Sequence, residues 1–350
     1  MADPRTIAAS RVLWPDGALS PGVITVEDGR IAALARPDGP VPDRVVCPGF
    51  VDIQVNGIDE VDVADADGDD WDRLDAALLA QGVTTWCPTL ITAPWGDTLD
   101  ALSRIADAAR RTGARPRIAG AHPAEHVIAP SPEAVAELPD GVALVTLGAE
   151  HPEAEATCRA LRARGIAVSI GHSRATYEQA VPLVDAGATL VTHVGNATGP
   201  ISARAPGVFG LGLSDERLAV SVIADLVHLH PAVLRIVAGA AASRLVLVTD
   251  AVAWRAPSHR ARGIASVDGA PRLPDGTLAG SALTMDQAIR NLVGSGATDL
   301  GTALRAASTH PARVIGVEDR GVITVGALAD LVALDSSLAV EQVWLEGQPV

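Results

Sequence analysis

Four segments of the chain share one design: a short apolar run that ends on a polar residue able to do chemistry. Ile166–Ile170 leads to His172 and Thr189–Thr192 leads to His193. Leu218–Ile223 leads to Asp225, with His228 just beyond, and Leu245–Thr249 leads to Asp250. Short, continuous apolar runs read as strands buried on both faces, the mark of a parallel sheet. Parallel strands need crossovers, and helical patterns at Trp71–Ala80, Leu99–Arg110 and Ser281–Leu292 supply them. The alternation predicts an α/β fold of TIM (β/α)₈ barrel type, with the chemistry at the C-terminal ends of the strands.

The termini read differently. Residues 6–47 look all-β, with Val23–Val26, the turn Glu27-Asp28-Gly29 and Arg30–Leu34 forming a hairpin signal. Ala329–Leu334 and Gln342–Leu345 are strand-like again. The economical arrangement pairs both ends into a small β-sandwich domain of residues 1–47 and 319–350, around a barrel domain of residues 48–318. Pro130–Leu138 and Arg255–Gly269 are rich in Pro, Gly and Ala and read as loops over the barrel mouth.

A chain of 350 residues suits one barrel with additions. Its net charge of −15 argues against nucleic acid and anionic membrane surfaces as partners. An anionic substrate would need locally placed cations, and all 27 formal cations are arginine. The absence of lysine excludes a Schiff-base lysine, a Walker lysine and a carboxylated lysine bridging two metals. Cys47, Cys87 and Cys158 are widely spaced, which suits a reducing cytosol and predicts a cytoplasmic protein. No signal-peptide pattern is visible at the start, and no uncharged apolar run reaches the roughly 18 residues of a membrane span.

His172 and His193 are 21 residues apart, about one βα unit, so they should be neighbours around the barrel. Neutral imidazoles on adjacent strands suit Zn²⁺ or a similar borderline cation. Each could instead cap its strand through hydrogen bonds. A carboxylate ending an apolar strand, as Asp250 does, needs a partner. It could act as general base toward a metal-bound water and then as acid toward a leaving amine; the plainer alternative is a helix N-cap. His228, His122 and the loop residue Arg204 could each bind an anion or a sugar hydroxyl. Leu278-Ala279-Gly280-Ser281 precedes the apolar stretch Ala282–Leu292 and reads as a helix N-terminus with Ser281 as cap.

Taken in order, these motifs resemble the N-acetylglucosamine-6-phosphate deacetylase family of the amidohydrolase superfamily. The resemblance rests on Pro48-Gly49-Phe50-Val51-Asp52, Gly171-His172-Ser173, Thr192-His193, Asn196-Ala197, Asp225 to His228, Val248-Thr249-Asp250-Ala251, Leu278 to Ser281 and Pro311-Ala312-Arg313. It implies a homodimer and one divalent ion per chain, zinc first, with iron, cobalt and manganese as alternatives. It implies His172 and His193 as metal ligands, Asp250 as the catalytic residue and His228 as its helper in polarising the carbonyl. Substrate contacts would come from Ala121, His122, Asn196, Ala197, Arg204, Asp225, His228 and Leu278, Ala279, Gly280 and Ser281. Arg204 would reach the sugar phosphate of the neighbouring subunit. The implied reaction is metal-dependent hydrolysis of the N-acetyl group of an amino-sugar 6-phosphate, in amino-sugar catabolism, by a hydrolase of linear amides. Two alternatives stand beside it: an amidohydrolase for a related acylamino sugar, and a catalytically silent sugar-phosphate-binding protein.

The chain departs from the family pattern twice. Gln54-Val55-Asn56 stands where many amidohydrolases have His-x-His, which points to a single metal. The family's His-x-Glu-Gly-Pro segment, whose Glu binds that metal, is missing. Gly120-Ala121-His122-Pro123 best matches a later family segment, as if the loop bearing the Glu had been deleted. Glu125, Glu150 or His151 could substitute for it, and the sequence does not choose between them.

Overall fold

The structure is a computed structural model and describes residues 5–124 and 131–350. Four strands open the chain: β1 (Arg5–Leu13), β2 (Leu19–Glu27), β3 (Arg30–Ala35) and β4 (Val45–Pro48). Eight barrel strands follow: β5 (Phe50–Val55), β6 (Val83–Ile91), β7 (His122–Ala124), β8 (Leu144–Leu147), β9 (Ala167–Ile170), β10 (Leu190–Val191), β11 (Ala219–Val222) and β12 (Leu245–Leu247). Three more close the chain: β13 (Leu331–Leu334), β14 (Val340–Leu345) and β15 (Gln348–Pro349).

The terminal strands form one seven-stranded sheet in the order β15-β14-β13-β4-β1-β2-β3. The β2–β3 hairpin pairs Glu27 with Arg30, and Asp28 and Gly29 between them both have positive φ (47° and 78°). This two-residue turn matches the twist of the strands it joins. The sheet has its own core, in which Ile7, Ile24, Ile31, Leu331 and Trp344 are buried. β4 runs on into the barrel through Gly49, where a Cβ would overlap the Thr84 side chain.

β5 to β12 pair in sequence order, every neighbouring pair parallel. The barrel closes where the Asp250 amide donates to the Gln54 carbonyl at 3.0 Å and the Asn56 amide to the Ala251 carbonyl at 2.8 Å. Most crossovers are amphipathic helices, including Asp70–Ala80, Trp95–Ala108, Ala154–Ala163 and Pro231–Ala241. Between β7 and β8 the described residues carry only a short 3₁₀ turn, Ala134–Glu137. The expected helix Ser281–Leu292 begins later, at Met285, and runs to Gly294.

Phe50, Ile53 and Trp86 are buried apolar residues of β5 and β6, and the barrel interior is polar along one arc. There His122 Nδ1 donates to the Ile53 carbonyl at 2.8 Å, which leaves Nε2 to accept from Thr146 Oγ1 at 2.8 Å. Thr146 then accepts from Thr192 Oγ1 at 2.9 Å. Burial lowers the His122 pKa to about 4, so the ring is neutral and this direction of donation holds.

Candidate active site

The C-terminal ends of β9, β10, β11 and β12 bring His172, His193, Asp225, His228 and Asp250 to one end of the barrel. His172, His193 and Asp250 all have left-handed backbones, with φ of 47°, 29° and 49°. Non-glycine residues adopt this conformation at a cost of about 1 kcal/mol or more, and such strain gathers at functional sites. The neighbouring Ala197 and Leu226 share it, at 50° and 64°.

His172 Nε2 and His193 Nε2 face each other at 2.8 Å, with the rings 78° apart. His193 is 2% exposed; its amide donates to Ser221 Oγ at 2.7 Å, and its carbonyl accepts from Asn196 Nδ2 at 3.1 Å. Burial lowers its pKa, which keeps the ring neutral and able to donate a lone pair. Its Nδ1 is buried with no hydrogen-bond partner among the described residues.

Asp250 Oδ1 accepts from Gln54 Nε2 at 2.9 Å and from Asn56 Nδ2 at 2.8 Å. Burial raises the pKa of this carboxyl; His193 and the Asn56 amide pull the other way without cancelling the rise. Below it, Ser281 Oγ donates to the Thr249 carbonyl at 2.5 Å and the Ser281 amide to the Asp250 carbonyl at 2.9 Å. His228 Nδ1 donates to Asp225 Oδ2 at 2.6 Å, and Asp225 Oδ1 accepts the Val227 and His228 amides at 2.9 and 2.8 Å. Burial pushes the Asp225 carboxyl up, but these three bonds outweigh it and hold it below the usual range.

A cavity of about 760 Å³ opens beside this cluster, lined by Gln54, Asn56, Ala124, His172, Asp250, Leu278, Ala279 and Gly280 among others. Asn196 is half-buried, whereas Ala197 and Arg204 are exposed on the loop that follows β10.

Several expectations need correction. His122 is 1% exposed and both its ring nitrogens are engaged inside the barrel, so it is not free to contact a substrate. Ala121 is equally buried and its carbonyl accepts the Ala143 amide. Ser281 is fully buried and braces the Asp250 turn; Thr284, not Ser281, precedes the helix. Glu150 is exposed, and its carboxylate accepts from Ser173 Oγ and the Arg174 amide, bracing the turn after His172. His151 accepts the Glu153 amide through Nδ1 at 3.3 Å. Glu125 lies outside the described residues.

The chain also seats His122 on a barrel strand, where the sequence reading placed it in a later segment. Side chains alternate along a strand. Ala124, two residues on, therefore shares the inward side of His122 and reaches the cavity. His122 and Ala124 thus share one face of β7. No three His, Cys, Asp or Glu side chains among the described residues are arranged to hold a metal ion. Catalytic zinc normally has three protein ligands. The two imidazoles suit such an ion, but among the described residues the donor set is one short of it.

Gln54 and Asn56 are the site residues that sequence reasoning missed. They were notable for replacing a histidine pair. Their alternation along the end of β5 and the residue after it, which puts both amides on one face, was the signal that they could grip Asp250.

The chain matches the amidohydrolase family over residues 45–350. It belongs to the amidohydrolase family. Within it, the chain is 35% identical to N-acetylgalactosamine-6-phosphate deacetylase of Escherichia coli, over 98% of both chains. It is also 35% identical to N-acetylglucosamine-6-phosphate deacetylase of Homo sapiens, over 97% of this chain and 91% of that one. The solved N-acetyl-D-glucosamine-6-phosphate deacetylase of Mycobacterium smegmatis, in complex with N-acetyl-D-glucosamine-6-phosphate, superposes with a TM-score of 0.90. It is 30% identical, and the match covers 99% of each chain. These relatives place the chain in the deacetylase branch of the family, among hydrolases of amide bonds. Members of the superfamily generally use a divalent metal ion.

Proposed function

We propose that this amidohydrolase removes the N-acetyl group of an amino-sugar 6-phosphate, N-acetylglucosamine 6-phosphate first, releasing acetate and glucosamine 6-phosphate. The observation that carries the reading is Asp250: a carboxylate with raised pKa at a barrel-strand end, gripped on one oxygen by two amides beside three imidazoles. Asp250 takes a proton from water as the water oxygen adds to the acetamide carbonyl. It returns that proton to the nitrogen as the C–N bond breaks, so the amine leaves neutral. A carboxylate raised by burial is a stronger base than one in water, which suits both steps. His228, oriented through Nδ1 by Asp225, helps to polarise the carbonyl. Arg204 binds the phosphate, with Asn196 and Ala197 lining the sugar.

Two imidazoles favour zinc over harder cations such as magnesium. Arg204 projects from an exposed loop, which supports a homodimer in which it reaches the partner's substrate. Three buried, unpaired cysteines support a cytoplasmic protein. No helix among the described residues is long and apolar enough to cross a membrane. We read residues 1–47 and 319–350 as the small domain and 48–318 as the catalytic one, as the separate core of the terminal sheet supports.

The test is acetate release from N-acetylglucosamine 6-phosphate, its galactosamine epimer and unphosphorylated N-acetylglucosamine. Turnover of a phosphorylated substrate, lost in Asp250→Asn, supports the reading. Binding without turnover by the intact chain would leave a sugar-phosphate binder. The galactosamine epimer is the second reading, because the Escherichia coli relative named for it matches the chain from end to end.

A further inference from the structure

We propose that the N-terminal face of the barrel holds a second binding site, for a small sugar phosphate, built from Arg162, Thr189, His310 and Arg313. A cavity of about 820 Å³ opens there. Small-molecule sites typically measure about 300–1,000 Å³. It lies where the strands begin: Ala167 and Ala219 open β9 and β11, and Thr189 directly precedes β10. His172, His193, Asp225 and Asp250 follow the opposite ends of β9 to β12, so this cavity is separate from the candidate active site. Pro311-Ala312-Arg313, singled out in the sequence, lies in the short helix Thr309–Val314 beside it. Pro311 and Ala312 are buried, while Arg313 is exposed on the cavity wall. The proposed deacetylation makes no use of this motif.

The charges on the wall suit a phosphate. Arg313 has no hydrogen bond or ion pair among the described residues. Arg162 spends Nη1 on the Ile166 carbonyl at 3.1 Å and has no carboxylate partner. Arg244 donates to the Gly212, Leu213 and Leu218 carbonyls at 2.6 Å each, which fixes it and leaves its charge uncancelled. Arg217 is neutralised by Asp215 and Asp185. Three guanidiniums without an ion-pair partner thus face one carboxylate, Glu216, in a chain of net charge −15. A guanidinium grips phosphate through two parallel hydrogen bonds. Thr189 Oγ1 is buried without a hydrogen-bond partner, although buried polar atoms are normally bonded. His310 is 7% exposed, and its Nδ1 donates to the Leu245 carbonyl at 2.7 Å. Burial, with Arg305 and Arg313 near it, lowers the His310 pKa. The ring is therefore neutral, and Nε2, which has no partner among the described residues, offers a lone pair. Ionised phosphate oxygens cannot donate to that atom, and a sugar hydroxyl can. The phosphate goes to the arginines and Thr189, and the hydroxylated body to His310 and Glu216.

The experiment follows binding of glucose 6-phosphate and of inorganic phosphate to the full-length protein by calorimetry. Glucose 6-phosphate has no acetamide for the active site to cleave. All measurements use an Arg204→Ala background, which removes the phosphate contact proposed for that site. Both ligands should still bind saturably, the sugar phosphate more tightly. Arg313→Gln should weaken both by about 10-fold or more, and Thr189→Val by several-fold. Arg36→Gln, which removes an exposed arginine of the terminal sheet, should change neither. The ring signals of His310 in NMR spectra should shift with the same midpoint as the calorimetric curve. Affinities unchanged by Arg313→Gln would overturn the proposal, and so would saturation that leaves the His310 signals unmoved. Tighter binding of inorganic phosphate than of the sugar phosphate would refute the role given to the hydroxylated body. If Arg313→Gln fails to fold, Thr189→Val, which keeps the side-chain shape, decides in its place. No arm reads turnover, so failure of the proposed deacetylation and failure of this site are told apart.

Discussion

Asp52 makes the stability of this fold depend on pH in a direction opposite to the usual carboxylate. The residue sits inside the barrel on β5 with no exposed surface. Thr249 Oγ1 donates to Oδ2 at 2.6 Å and the Gln54 amide to Oδ1 at 3.2 Å. Burial outweighs these bonds, the Asp250 charge adds to it, and the Asp52 carboxyl is pushed up from 3.8 to about 7. Between those two values the native state keeps a proton that the unfolded chain has released. Stability is therefore highest below about pH 4 as far as this group is concerned, and is lost as pH rises toward 7. At 1.36 kcal/mol per pH unit, the full difference amounts to about 4 kcal/mol, and the part lost between pH 5 and 7.5 to about 2.5 kcal/mol. Asp52→Asn keeps the shape and cannot ionise. Urea unfolding of both proteins at pH 5, 6, 7 and 7.5 should show the variant gaining on wild type by about 2–3 kcal/mol across the series. Two stability curves that run parallel over that range would refute the reasoning, because they would mean that Asp52 does not change its protonation there.

Asp250→Asn should lower kcat by about 100-fold or more while sugar-phosphate binding persists, since an amide cannot accept the proton; steady-state kinetics and calorimetry check this, and retention of a tenth of the activity would reject the role. Gln54→Leu and Asn56→Leu each remove a donor that stabilises ionised Asp250. The Asp250 pKa should rise further, so the acidic limb of the kcat/KM profile should move to higher pH in each variant and further in the double variant. Arg204→Ala should raise KM about 10-fold or more for the 6-phosphorylated substrate and leave the unphosphorylated sugar nearly unchanged; equal losses on both would make Arg204 structural.

The sequence made the strand ends legible because each carried two independent signals, an apolar run and a polar stop. β9 to β12 fall within the segments that led to His172, His193, Asp225 and Asp250. The helix Asp70–Ala80 was equally clear, since its apolar positions recur at helical spacing. β7 was hidden. Three residues, one of them Pro123, give too little pattern to tell strand from turn, so His122 read as available to an anion or a sugar hydroxyl. Ser281 misled for a related reason. A serine before an apolar stretch reads as a cap, but its hydroxyl is taken by the Thr249 carbonyl of the neighbouring segment, a contact no local pattern reveals. The grip of Gln54 and Asn56 on Asp250 joins positions nearly two hundred residues apart and emerges only once the barrel closes.

The left-handed backbones of His172, His193 and Asp250 bear on any attempt to improve this protein by selection. Glycine adopts that conformation freely, so replacing each of the three should relieve strain and can raise the melting temperature. A library screened for thermal tolerance alone would then accept glycine at three positions of the proposed site, and on that reading its hardiest members would be inert. Here the search for robustness and the search for catalysis pull on the same dihedral angles, so a campaign must score both in every round.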